Sequence, residues 1–193
     1  RDDVESRGLG DVYKRQDKEV ANTKSEKIMN AVALRASFYR ANPQRFAKDY
    51  LNLTLKPFQE LLLFLMVRCT GFCFIAARGL GKSFLTAVFC VITCILWPGS
   101  KVCIACKVRS QSISILDEKI MKEIYPNSPL LRAEIKKVDI NNQKAEIIFR
   151  NGSYIKVVTA TDSSRGSRAT LLVNKHARFY RNIKPRLGKI GKC

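Results

Sequence analysis

Apolar residues recur at helical spacing or in short runs along most of the chain, and this pattern predicts alternating helices and strands. Between Ser25 and Ala41 the spacing is that of a helix, which Asn42-Pro43 ends. A second short helix is expected from Pro43 to Tyr50. Pro57 then suits the first turn of a third helix, whose long apolar run would be buried.

Two apolar runs of unequal length flank a glycine-containing turn in the middle of the chain. Phe72 to Ala76 predicts a strand, and Phe84 to Trp97 predicts a buried helix. The longer run has 14 residues, whereas a helix needs about 20 apolar residues to span a bilayer, so we expect no membrane segment. The turn Trp97–Ser100 then leads into a buried strand from Lys101 to Cys106.

The second half of the chain continues this alternation. Helical spacing covers residues 110–124, and short runs at 145–149 and 154–158 flank Asn151-Gly152, a strong hairpin signal. Another apolar strand begins at Thr170. Strands that alternate with helices predict an α/β fold, with a mostly parallel sheet and helices on both of its faces.

Composition is ordinary for a globular protein except in its charge. Of the 193 residues 46% are apolar and 26% are charged, which suits one domain with a sizeable core. The 35 Lys and Arg residues outnumber the 16 Asp and Glu residues, for a net charge of +19. That surplus suits a protein that works on a polyanion such as nucleic acid, and it is equally compatible with a basic surface that contacts only solvent.

The seven cysteines lie mostly inside apolar runs. Cys103 and Cys106 have a spacing found in metal sites, yet no second pair has ligand-like spacing and His176 is the only histidine. We therefore expect buried free thiols in a reducing compartment rather than a zinc site.

The turn between the central strand and the central helix carries the candidate chemistry. It reads Ala76-Ala-Arg-Gly-Leu-Gly-Lys-Ser83, in which Ala76 replaces the first glycine of the usual phosphate-binding pattern and Arg78 adds a cation. Glycines let the backbone turn so that its N–H groups can hold an anion, and the start of the helix adds more. Lys82 can reach the β- and γ-phosphates, and the Ser83 hydroxyl can ligate Mg²⁺. A chance Gly-Lys-Ser in a strand-to-helix connection is the alternative.

We expect the ligand to be ATP with Mg²⁺. Gln59 stands shortly before the loop, and its carboxamide has the donor and the acceptor that the N6 and N7 edge of adenine requires. In isolation it would be a surface glutamine. The other expected contacts belong to the loop and to the start of the helix: Ala77, Arg78, Gly79, Leu80, Gly81, Lys82, Ser83 and Phe84.

Four short motifs, taken in order, resemble the ATPase domain of the large terminase subunit of tailed phages. They are Leu55-Lys-Pro-Phe-Gln59, the loop Ala76–Ser83, Trp97-Pro-Gly99, and Ser163-Ser-Arg-Gly-Ser-Arg168 with the apolar strand that follows it. The similarity covers residues 24–173. It implies an additional-strand P-loop ATPase fold that couples ATP hydrolysis to the translocation of double-stranded DNA into a procapsid.

The resemblance also implies roles and partners. Gln59 would read adenine, Lys82 would act in catalysis, and Arg165 would reach the nucleotide of a neighbouring subunit. The implied partners are double-stranded DNA, a portal protein, the small terminase subunit and further copies of the chain in a ring. The implied location is the host cytoplasm, with no role for a membrane.

The chain departs from this family after Val173, where an apolar residue and then Asp-Glu should follow. Asn174-Lys-His176 stands there instead, and residues 174–193 hold seven basic and no acidic residues. The acid that orients Mg²⁺, the catalytic base and the nuclease domain of the family are thus not expected in this chain. We interpret residues 174–193 as an off-frame basic tail. Residues 1–16, which resemble translated adapter sequence, are interpreted as a non-native leader.

Between these ends we expect a helical segment at 17–50 and a partial ATPase core at 51–173. Such a chain would bind ATP and hydrolyse it poorly. One alternative is another P-loop motor of the helicase type. A second is a basic nucleic-acid-binding module in which Gly-Lys-Ser is incidental, and this one predicts no thermal shift on adding ATP.

Overall fold

The chain forms two compact units that divide after Ala41, each of which is described by itself. The computed structural model describes residues 24–77, 79–106, 109–141, 144–159, 169–174 and 178–181. Within the first unit it describes one helix, α1 (24–41), which confirms the predicted helix and its end before Asn42-Pro43. The second unit contains a seven-stranded sheet and the other described helices.

Helices and strands of the second unit follow one another largely as the hydrophobic pattern predicts. The helices are α2 (Pro43–Asp49), α3 (Pro57–Arg68), α4 (Lys82–Leu96), α5 (Arg109–Ser114), α6 (Tyr125–Asn127) and α7 (Pro129–Glu134), with a π-helical segment (Ile115–Ile124) between α5 and α6. The strands are β1 (Gly71–Phe72), β2 (Lys101–Cys106), β3 (Ile135–Ile140), β4 (Ala145–Phe149), β5 (Tyr154–Thr159), β6 (Leu171–Asn174) and β7 (Arg178–Arg181). In the described part of the chain, no helix has both the length and the apolar character that a membrane crossing needs.

The sheet is mixed, so the prediction of a mostly parallel sheet is wrong, although the α/β class is confirmed. Its order is β1-β7-β6-β2-β5-β4-β3. Only β2 makes parallel pairs among the described strands, with β5 on one side and β6 on the other. The pairs β3–β4, β4–β5, β6–β7 and β1–β7 are antiparallel. The physical reason is connection length, because strands joined by short hairpin loops must pair antiparallel, whereas parallel neighbours need a long crossover.

Side chains alternate between a buried and a partly exposed face of the sheet. Ile147 and Ile155, which are register partners, are fully buried on one face. Lys156 and Leu172 are both register partners of Cys103 on the other face, and both are exposed. The predicted second layer of helices is therefore not found in the described part of the chain, since a covering helix would bury these two side chains.

Helix α4 is the centre of the core. Its ten consecutive residues Leu85–Cys94 are all buried, and it packs against α2, α3, the π-helical segment, β2 and β5. Each large apolar side chain buried in this way stabilises the fold by about 1.5–3 kcal/mol. The hydroxyl of Thr93 donates to the carbonyl of Phe89 at 2.8 Å, so the polar group inside this apolar helix is satisfied. The predicted buried helix is confirmed.

The helix predicted at 110–124 has the expected extent, but much of it is π-helical. Its large apolar side chains Ile115, Leu116, Ile120 and Ile124 are at most 1% exposed. The N–H of Tyr125 donates to the carbonyl of Ile120, five residues earlier, as a π-helix requires. The wider turn lets apolar residues spaced four and five apart face α4 together.

The hairpin between β4 and β5 also ends α4. Gly152 has φ +81°, the left-handed conformation that the predicted Asn-Gly turn supplies. Asn151 Nδ2 donates to the carbonyl oxygen of Cys94 at 2.7 Å, and its Oδ1 accepts from the N–H of Ser153 at 3.0 Å. One side chain thus fixes both the turn and the last carbonyls of the central helix.

Replacing Asn151 with alanine should therefore lower the free energy of unfolding by about 1–2 kcal/mol, because buried backbone groups lose their partners. Urea unfolding of the whole chain measures the change. The control is Asn141→Ala, since Asn141 Nδ2 bonds only the exposed carboxylate of Asp139, at 3.1 Å, among the contacts described. Its loss should stay within about 0.5 kcal/mol. Equal losses in the two variants would contradict the capping role of Asn151.

Candidate functional site

The loop between β1 and α4 is built on two glycines in left-handed conformations. Gly79 has φ +85° and Gly81 has φ +76°, values that are strained for a residue with a side chain. Gly81 is the N-cap of α4, and its carbonyl accepts the first helical bond, from the N–H of Leu85 at 2.9 Å. The N–H groups of residues 82–84 precede that bond and stand at the open end of the helix.

The ammonium of Lys82 is held over the loop by two backbone carbonyls. Its Nζ donates to the oxygen of Ala76 at 2.5 Å and to that of Ala77 at 2.6 Å. These bonds explain a correction to the predicted strand Phe72–Ala76, which is wrong in length, since β1 contains only Gly71 and Phe72. The two carbonyls at the end of the apolar run bond to the lysine instead of to a neighbouring strand.

Gln59 lies against the loop although it belongs to α3. Its side chain is 8% exposed, and its Oε1 accepts from the backbone N–H of Lys56 at 3.1 Å. A Cβ added to Gly81 would lie 2.8 Å from Gln59 Nε2, which is too close for any real Cβ. Gly81 is therefore required for two reasons, its positive φ and the approach of this carboxamide.

The site lies toward the carboxyl ends of the parallel strands. The turn Trp97–Ser100 joins the C-terminus of α4 directly to the start of β2, and α4 packs against β2, so the helix runs back along this strand. A 15-residue helix and a six-residue strand have similar lengths, about 22 Å and 20 Å respectively. The N-terminus of α4 is thus near the strand ends at which open α/β sheets bind their ligands.

The structure brings together most of the residues that the sequence analysis singled out. Ser83 and Phe84 are half-buried in the first turn of α4, whereas Ala77 and Leu80 are exposed on the loop. Arg78 and Arg165 lie outside the described residues, as does the predicted polar loop at 161–168.

Sequence reasoning did not find three contributions to the site, namely the carbonyls of Ala76 and Ala77 and the N–H of Lys56. The carbonyls carry no sequence signal. Lys56 and Gln59, in contrast, are the N-cap and third residue of a helix, the spacing at which a glutamine side chain reaches back to the N-cap amide. That spacing could have predicted this bond.

Acidic groups do not gather at this edge of the sheet in the described part of the chain. Strand β6 ends at Asn174, which lies in register with Ala105 of β2. The two following positions, where the resemblance would place Asp and Glu, lie outside the described residues, as does Asp162. Among the residues that are described, no three His, Cys, Asp or Glu side chains could hold a metal ion together.

Comparison with known proteins adds no assignment. No protein-family model matches the chain, and no curated protein matches its sequence. The residues of the loop and their geometry therefore carry the functional argument.

The thiols of the core differ from the one beside the loop. Burial raises the pKa of Cys90 and of Cys94 far above that of a free thiol, and the proximity of Cys90 raises the pKa of Cys94 further. Both remain neutral near pH 7, and only the thiolate is an effective nucleophile. Cys73, just before the loop, is exposed.

Iodoacetamide at neutral pH should consequently alkylate Cys73 in the folded protein and reach Cys90 and Cys94 only after denaturation. Peptide mass spectrometry of samples treated before and after unfolding measures the difference. Labelling of Cys90 at the rate of Cys73 in the native protein would contradict the buried-thiol interpretation.

Proposed function

We propose that the chain binds Mg·ATP at the loop between β1 and α4 and is the ATPase part of a viral DNA-packaging motor of the terminase type. The observation that best supports nucleotide binding is the meeting of Gly81, Lys82 and Gln59 at one place. A chance Gly-Lys-Ser between a strand and a helix has no reason to carry a nearly buried carboxamide from another helix against its second glycine.

The donor groups at the loop suit a polyphosphate. Backbone N–H groups at the start of α4 and the Lys82 ammonium are positive, and the first turn of α4 contains no acidic residue. A phosphate oxygen would compete with the carbonyls of Ala76 and Ala77 for the ammonium, and charge-assisted bonds are stronger than bonds to neutral carbonyls. The Ser83 hydroxyl would hold Mg²⁺, which neutralises phosphate charge when it is bound.

The packaging part of the proposal depends on the order of the motifs and on charge. A net charge of +19 favours double-stranded DNA as the polymer that the motor moves. The additional-strand P-loop fold is supported by the parallel β5-β2-β6 centre of the sheet. Arg165 as a residue acting between subunits, the portal protein, the small subunit, the ring and the host cytoplasm are proposed from the resemblance alone.

Replacing Lys82 with alanine should abolish Mg·ATP binding by this chain, because it removes the cation held at the phosphate position. Isothermal titration measures the affinity. The control is Lys101→Ala, since Lys101 is exposed at the amino end of β2, the opposite end of the sheet. Unchanged affinity of the Lys82 variant, or no ATP-dependent thermal shift in the wild type, would favour the basic nucleic-acid-binding module instead.

The wild-type chain should hydrolyse ATP very slowly, because the acids expected after β6 are replaced by Lys175 and His176. Loss of a general base typically costs about 10²–10⁴ in rate. Exchanging residues 174–176 for Ile-Asp-Glu, followed by the helix that the family has there, should raise steady-state turnover by a comparable factor. Equal turnover before and after the exchange would show that the missing acids are not needed.

A further inference from the structure

The carboxamide of Gln59 is engaged at both of its ends. Its Oε1 accepts from the N–H of Lys56 at the start of α3, at 3.1 Å. Its Nε2 lies against Gly81, only 2.8 Å from where a Cβ of that residue would stand. The side chain is 8% exposed, so it links the start of α3 to the phosphate loop.

This arrangement is poorly suited to reading a base. Recognition of the adenine edge uses the carboxamide oxygen and nitrogen together, one as acceptor and the other as donor. Turning the group toward a base would break the bond to Lys56 and move the amide away from Gly81. A buried N–H that loses its partner costs free energy, so the turned state is disfavoured.

The same arrangement is well suited to fixing the loop. Gly81 accepts the first hydrogen bond of α4 and is its N-cap, so its position sets the direction of the N–H groups of residues 82–84. Gly81 could otherwise occupy several backbone conformations, because glycine has no Cβ to restrict it. Contact with Gln59 limits those conformations to one that presents the N–H groups together.

We propose that Gln59 is a positioning residue for the phosphate-binding loop and sets the affinity for the phosphate chain whatever base is attached. The inference rests on the proposed function, in that it takes the loop to bind a polyphosphate. It differs from a base-reading role in one measurable respect. A positioning residue affects a ligand that has no base, whereas a base reader does not.

The test compares three ligands, Mg·ATP, Mg·GTP and Mg·tripolyphosphate, by isothermal titration with the whole chain. Gln59→Ala should weaken all three by a similar factor of about ten and leave the ratio of ATP to GTP affinity unchanged. Gln59→Met, which retains most of the volume but cannot accept from Lys56, is measured in parallel and should weaken all three in the same way. Glu60→Ala, an exposed change in the same turn of α3, is the control and should leave all three affinities unchanged.

Two results would overturn the proposal, and they can be told apart. If the Gln59 variants keep wild-type affinity for tripolyphosphate while losing affinity for ATP, the residue reads the base and the positioning role is wrong. If the wild type binds none of the three ligands, the proposed function fails, and the positioning role fails with it. Urea unfolding without ligand establishes that the titrated variants are folded.

Discussion

Burial of α4 is the constraint on which the position of the site depends. The helix is apolar on every side, so it must be enclosed, and the sheet covers one side while α2, α3 and the π-helical segment cover the others. Its C-terminus is fixed by Asn151 and by the turn into β2. With one end fixed and the length set by 15 residues, its N-terminus has a single place to lie. The loop stands where it does because a hydrophobic helix is enclosed behind it.

Local rules of helix stability are broken at the loop, which is typical of a functional site. A lysine at the first position of a helix faces the positive end of the helix dipole, an arrangement that costs free energy. The carbonyls of Ala76 and Ala77 offset part of this cost by accepting hydrogen bonds from Lys82. Positive φ at Gly79 and Gly81 adds a backbone conformation that few residues tolerate. An anion at this position would relieve the first of these costs.

Features encoded locally could be predicted from the sequence, and those that depend on distant partners could not. The run Leu85–Leu96 gave a buried helix and Asn151-Gly152 gave a hairpin because neighbouring residues determine both. Strand direction could not be predicted, since hydrophobic runs do not say which strands will pair. At the site, the importance of Gly81, Lys82 and Gln59 was predictable, but the contact of Gln59 with Gly81 depends on how α3 packs near α4. The length of β1 depended on Lys82, whose bonds no pattern reveals.

Support for the loop comes mainly from its helical side. The strand that enters it has two paired residues, which bond to β7, and the apolar Ile75 that follows is 93% exposed. Few buried contacts hold such a segment, so it can open at little cost. On the other side, Gly81 is held by Gln59 of α3 and by the first bond of α4, and α4 is anchored in the core. Phosphate binding therefore depends on α3 and α4 rather than on the strands next to β1. For that reason the binding half of such a site can be intact in a chain whose catalytic acids are missing.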